Sequence, residues 1–262
     1  MIGRAIALGL AIAALVRSSA AAPRCGAAPP ADARWFYLGV PGEGRSAVAA
    51  QRALRAVLAA FDDVLPREPA CLKVEILDDG GLTDRYRRLG RRRPDAAIVG
   101  FHNPKLGADG TVFVVPQPGQ GLDVVIVHEV LHALSHRFSQ EAGRRRLSHL
   151  VEGATELLTR SLAAASLGVA KDAFKTGYGP YVRFYDALLS RLGDGGLALL
   201  GACYLTRGYD AFEREVDERL GVSLRDAGRA LEADDLPRAL QRISVRAEPA
   251  GASAATPGAG GE

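Results

Sequence analysis

One stretch near the middle of the chain, Leu122 to Leu134, restricts its fold more than any other. It holds His128-Glu129-Val130-Leu131-His132 between apolar flanks, Leu122 to Val127 and Ala133-Leu134. Histidines at i and i+4 project from one helix face, about one turn apart, so both imidazoles can reach a single metal ion. Glu129 projects from the same region and need not ligate; it can instead take a proton from a metal-held water. With 5 His and 13 Glu in 262 residues, the pattern arises by chance in roughly one such sequence in 200. Val124 to Val127 is a β-branched run of poor helix propensity, so a helix here requires tertiary burial to override local preference. Conflicts of that kind occur at functional sites.

Composition narrows the remaining classes. A chain of 262 residues, 48% of them hydrophobic, can bury a real core as one ample domain or two small ones. It is neither wholly disordered nor collagen-like, and its three cysteines cannot staple a chain of this length. No run of about 20 apolar residues follows the first 20 positions, which excludes a multi-pass membrane protein. The net charge of +3 is too balanced to imply nucleic acid.

Met1 to Ala21 reads as a secretory signal peptide, with Arg4 before the apolar stretch Ala5 to Val16 and small residues at Ser19-Ala20-Ala21. The apolar run is short for an uncleaved anchor. The expectation is a secreted or periplasmic protein without stable membrane insertion. In an oxidising compartment Cys25, Cys71 and Cys203 allow one disulfide and one leftover thiol, with all three pairings open. None has metal-ligand spacing.

Residues 22–33 form an Ala/Pro-rich lead-in, and residues 247–262 an Ala/Gly/Pro/Ser-rich tail expected to be disordered. Between them, 34–246 reads as one α+β domain, with a small sheet lobe (34–118) before a helical lobe (119–246) and the histidine helix between them. Strands are expected at Trp35 to Val40, Leu72 to Leu77, Ala96 to Phe101 and Thr111 to Val115. An amphipathic helix is expected over Ala47 to Leu65, with Leu54, Val57, Leu58, Phe61 and Leu65 on one face. Later helices are expected over 122–138, 148–166, 178–192, 195–206 and 210–220. Arg85 to Arg93 holds six Arg in nine residues. It suits a solvated loop or helix face better than a polyanion site, and Tyr86 is its only aromatic.

A catalytic zinc needs a third protein ligand and an open position for water. Glu152, 20 positions after His132, is the best candidate, far enough for a helix end, a turn and an antiparallel helix. Gly153 beside it would let the two helices approach closely. Glu156, one turn on, can accept a hydrogen bond from the second nitrogen of a ligating histidine and fix its tautomer. His136 continues the spacing to i+8 but lies about 12 Å along the axis from His128. His149 falls at a helix start and His102 in a turn.

His128 to His132 followed by Glu152-Gly153-x-x-Glu156 resembles the gluzincin group of zinc metallopeptidases, the thermolysin-like arrangement. The resemblance covers about residues 122–166 and the order of sheet before helices. It implies a zincin-like fold, Zn2+ held by His128, His132 and Glu152, and Glu156 outside the ligand set. It implies Glu129 as general base and Thr111 to Val115 as the edge strand that binds substrate. In that family a late histidine stabilises the tetrahedral intermediate. Here no histidine follows His149, so a tyrosine must serve, and Tyr178 is favoured over Tyr181. The expected activity is hydrolysis of peptide bonds in a peptide or protein substrate. Two other classes stand beside it: a catalytically silent protein that keeps the zinc site, and an envelope protein that binds polyanions through Arg85 to Arg93.

Overall fold

A computed structural model describes residues 45–61, 73–88, 100–103, 111–116, 121–170 and 177–244. The expected signal peptide, the lead-in, the Trp35 to Val40 strand, Cys25, Cys71 and the tail lie outside them. The described part is mostly helical with one small sheet, an α+β arrangement. No helix in it is long and apolar enough to cross a membrane.

Helix α1 (Arg45–Phe61) turns Ala50, Ala53, Leu54, Val57 and Phe61 inward, the i, i+3, i+4, i+7 spacing of one face. Three strands follow: β1 (Lys73–Ile76), β2 (Gly100–Asn103) and β3 (Thr111–Val114). Helix α2 (Asp79–Arg88) lies between the first two in sequence. Alternation along β3 explains the layers, because successive side chains leave opposite faces. Val112 and Val114 join Val74 in the main core with α1 and the histidine helix. Phe113 and Val115 pack on the other face against Leu82 and Tyr86 of α2.

The sheet order is β1-β3-β2, with β3 parallel to β1 and antiparallel to β2. Thr111 to Val114 is therefore the central strand, not the edge strand expected from the resemblance. Hydrogen bonds on both sides leave it no free ladder for a substrate, and among the described residues β2 is the outer strand beside the histidine helix. His102 sits within β2, opposite Val112, and not in a turn. Of the arginine run, Arg85 pairs with Glu75 at 2.7 Å and lies over the Phe113 ring, and Arg87 pairs with Asp84 at 2.6 Å. Tyr86 is buried.

The histidine helix α3 (Leu122–Leu134) buries Ile126, Val127, Val130 and Leu131 completely. Burying each such side chain contributes about 1.5–3 kcal/mol, against a helix-propensity cost of less than about 0.7 kcal/mol per residue. Burial wins, and the β-branched run is helical. Asp123 in the first turn accepts from the Val124 amide and from Arg52 of α1, which fixes the start of α3 against α1.

The helix expected to run to residue 138 instead breaks at Ser135. Its hydroxyl donates to the His132 carbonyl at 3.1 Å, capturing an acceptor that continued helix would need. α4 (His136–Arg144) starts directly after it, with His136 its first residue.

α5 (Ser148–Leu162) follows and ends in a π-helical turn, Ala163–Leu167. α6 (Gly179–Leu192) and α7 (Gly196–Ala202) come next, then a second π-helical turn, Cys203–Arg207. Cys203 there is buried and its thiol is free. The chain closes with α8 (Tyr209–Leu220), α9 (Leu224–Glu232) and α10 (Leu236–Ser244), of which the last two have no counterpart in the sequence expectations. One hydrophobic core runs from Ala50 of α1 to Ile243 of α10, so the sheet and the helices share it.

Gly153 does not face α3, as expected, but α6. A Cβ there would stand 2.8 Å from the Tyr181 Cβ and 3.1 Å from the Tyr185 ring. The Tyr185 hydroxyl donates to the Leu150 carbonyl at 3.0 Å, completing this close approach. Alanine at Gly153 gains about 1 kcal/mol of helix propensity, but overpacking of about 1–3 kcal/mol outweighs it. Gly153→Ala is therefore expected to lower the thermal midpoint by about 2–4 °C per kcal/mol lost. A raised midpoint in a calorimetric scan would contradict the close packing of α5 on α6.

Candidate metal centre

Three lone-pair atoms meet where α3 crosses α5. His132 Nε2 lies 3.2 Å from His128 Nε2 and 3.3 Å from Glu152 Oε2, and His128 Nε2 lies 3.4 Å from the same oxygen. The ligand–ligand edge of a tetrahedral zinc site with bonds of about 2.0–2.1 Å is about 3.3–3.4 Å. The donor triangle matches that edge to within about 0.1 Å on all three sides. These residues form the one group among the described residues able to hold a metal ion.

Helix geometry accounts for the convergence. His128 and His132 are one turn apart on α3. On α5, Glu152, Thr155 and Glu156 share the face turned to α3 by the same i, i+3, i+4 rule. Glu156 Oε2 lies 3.2 Å from His128 Nδ1, and Arg160 donates to its Oε1 at 2.9 Å. An ionised carboxylate only accepts, so His128 Nδ1 carries a proton there, and Nε2 is the nitrogen that presents a lone pair to the triangle once the ring is neutral.

The electrostatics agree with a cation site. Burial alone would push His128 down, but its hydrogen bonds to Glu152 and Glu156 and the charge of Glu129 raise it to about 10. In the metal-free protein a proton thus does part of a metal's work. Burial would push Glu152 up, but the charge of His132 and hydrogen bonds from both histidines hold it well below the usual carboxylate range.

Glu129 is buried beside the triangle. Burial raises its pKa, and the neighbouring His128 and His132 charges oppose the rise only partly. Its side chain lies against the backbone of Gly100 on β2, where a Cβ would come within 2.8 Å of Glu129 Cγ and 2.9 Å of Oε1. Glycine at that strand position leaves the room the carboxylate fills.

Tyr178 reaches the same site from the start of α6, where its carbonyl accepts from the Tyr181 and Val182 amides. Its ring stacks on His128 with centroids 5.5 Å apart and planes 10° apart, and its hydroxyl bonds Glu152. Burial, then the Glu152 and Glu129 charges, raises its pKa, so it remains a donor at neutral pH. Tyr181 goes elsewhere: its ring stacks on His149 at 4.5 Å and its hydroxyl donates to Asp234. His149 stands in the first turn of α5, as expected, with Nδ1 bonded to the Leu231 carbonyl at 2.9 Å.

The structure thus brings together His128, Glu129, His132, Glu152, Glu156 and Tyr178. Sequence reasoning missed Gly100, Ser135, Thr155, Arg160 and Tyr204. Arg160 was accessible to it, lying four residues beyond Glu156 on the same helix face. The others come from distant segments or carry no pattern of their own. Compared with protein-family models, curated proteins and solved structures, the chain matches none.

Two outcomes follow from this geometry. Protein purified without added metal is expected to carry one zinc per chain by elemental analysis, and His128→Ala with His132→Ala to carry none. Unchanged zinc in the double variant would exclude the site. In chelated protein, the raised His128 pKa adds stability that is complete below 6.5 and lost as pH rises through about 10. Urea midpoints across that window should fall for chelated wild type, and fall less for chelated His128→Gln. Equal slopes would remove the His128 contribution.

Proposed function

We propose that this chain is an exported, gluzincin-type zinc peptidase with a zincin-like fold, cleaving peptide bonds in a peptide or protein substrate. The observation that carries the reading is the matched triangle of His128, His132 and Glu152 with a buried carboxylate, Glu129, beside it. These three residues would hold Zn2+, which when bound polarises a substrate carbonyl and makes water a nucleophile near neutral pH.

The chain's own groups do the remaining work. Glu129 takes the proton of the attacking water and passes it to the leaving nitrogen. Its raised pKa suits a group that must both accept and release a proton. Tyr178, held protonated, donates to the carbonyl oxygen as negative charge develops on it. An extended substrate adds to β2, whose Gly100 already touches Glu129, so main-chain hydrogen bonds along that strand bring the scissile carbonyl to the base. Export rests on the Met1 to Ala21 signal pattern, and N-terminal sequencing from the native host tests it.

Glu129→Gln keeps the shape of the side chain and cannot accept the proton. It should retain zinc while hydrolysis of a diverse peptide library falls by about 10²–10⁴. Chelation should abolish wild-type cleavage, and added zinc should restore it. Equal cleavage by wild type and Glu129→Gln would show that Glu129 is not the base. Full zinc content with no cleavage in either would favour the silent binding protein.

A further inference from the structure

We infer that Thr155 and Tyr204 are positioning residues that hold His132 in the tautomer a metal ligand requires. This rests on the zinc-site reading above and extends it to a residue 49 positions from α5's Thr155.

Thr155 is fully buried, and its Oγ1 has three neighbours: the Val151 carbonyl at 2.8 Å, the Tyr204 hydroxyl at 2.5 Å and His132 Nδ1 at 3.4 Å. A threonine hydroxyl has one proton and two lone pairs. The Val151 carbonyl can only accept, so it takes the proton. Both lone pairs are then left for donors. Tyr204, at 2.5 Å, supplies one with its single proton. The remaining lone pair faces His132 Nδ1, and only a proton on that nitrogen satisfies the contact. His132 Nε2 then bears a lone pair and turns it to His128 Nε2 and Glu152 Oε2. The opposite tautomer would place an N–H inside the triangle and exclude a cation.

The two histidines are thereby held by different means. His128 leans on the charged Glu156, which is itself paired with Arg160. His132 leans on a pair of neutral hydroxyls. A second carboxylate would fix the same tautomer but would cancel more of the metal's charge. The hydroxyl pair orients the ring and leaves that charge available. Tyr204 belongs to the π-helical turn Cys203–Arg207 and is 1% exposed, with its ring 5.1 Å from that of Phe138. Widened helical turns of this kind often serve functional sites.

Zinc affinity, measured on the full chain by competition with a chromophoric chelator, tests the pair without any substrate. Thr155→Val keeps the shape and loses the hydroxyl, and should weaken zinc binding by about 10–100-fold. Thr155→Ser should restore it. Tyr204→Phe keeps the ring against Phe138 and should cause a smaller loss. On the Thr155→Val background Tyr204→Phe should cause no further loss, because Tyr204 acts through Thr155. Wild-type affinity in both single variants, or losses that simply add, would overturn the inference. Should Thr155→Val fail to fold, Tyr204→Phe and Thr155→Ser carry the comparison: a loss in the first with none in the second supports it, and no loss in the first overturns it. The graded order in a protein that cleaves no peptide would support the pair and overturn only the peptidase proposal.

Discussion

Glu156 is 2% exposed and lies where α3 meets α5, in a region that is otherwise largely apolar. An ionised carboxylate in such a place costs several kcal/mol unless its oxygens are paired. Both are paired, one with His128 and the other with Arg160. That requirement fixes how α5 lies against α3, since a slip of one residue would rotate α5 by about 100° and leave the charge alone. With Glu156 in place, Glu152 falls one turn away against both histidines, and Thr155 falls against His132. The donor triangle and the hydroxyl pair both depend on this one buried contact.

The parts of the site visible in the sequence are those written along single helices. His128 and His132, and Glu152 and Glu156, are pairs at i and i+4, and a helix of regular pitch puts each pair on one face whatever the surroundings. Spacing alone therefore located the two helix faces, and the structure shows them turned towards each other. Tyr178 was weakly legible, since nothing local distinguishes it from Tyr181; only the angle at which α6 enters decides that one stacks on His128 and the other on His149. Tyr204 was not legible at all. Its contact spans 49 residues and depends on a π-helical turn, for which periodicity gives no sign.

The fold divides in the same way. Amphipathic spacing found α1, α3 and α5, and the sequence pattern found β1 and β3, while the expected Ala96 to Phe101 strand meets β2 only at Gly100 and Phe101. Strand order was beyond its reach, because alternation along β3 reads the same at the centre of a sheet as at its edge. The break at Ser135 depends on one hydroxyl captured by one carbonyl, a local competition inside a stretch whose hydrophobic pattern stays helical. Gly153 was correctly read as a point of close approach, but the neighbour was wrong. The tyrosines that fill its space lie a full helix further along the chain.

The beginning of α5 is secured from far downstream. Glu232, at the end of α9, accepts from the His149 amide and from the Ser148 hydroxyl, 84 residues back in the chain. Chains are made from the N-terminus at about 5–20 residues per second, so α5 exists for several seconds before its cap has been synthesised. During that interval the first turn of α5 has orphan amides and is free to fray. The order of synthesis thus places the completion of the candidate metal site after Glu232 has been made. A chain made only as far as α8 has its histidines in hand, but their partner carboxylates stand on a helix whose first turn is still uncapped.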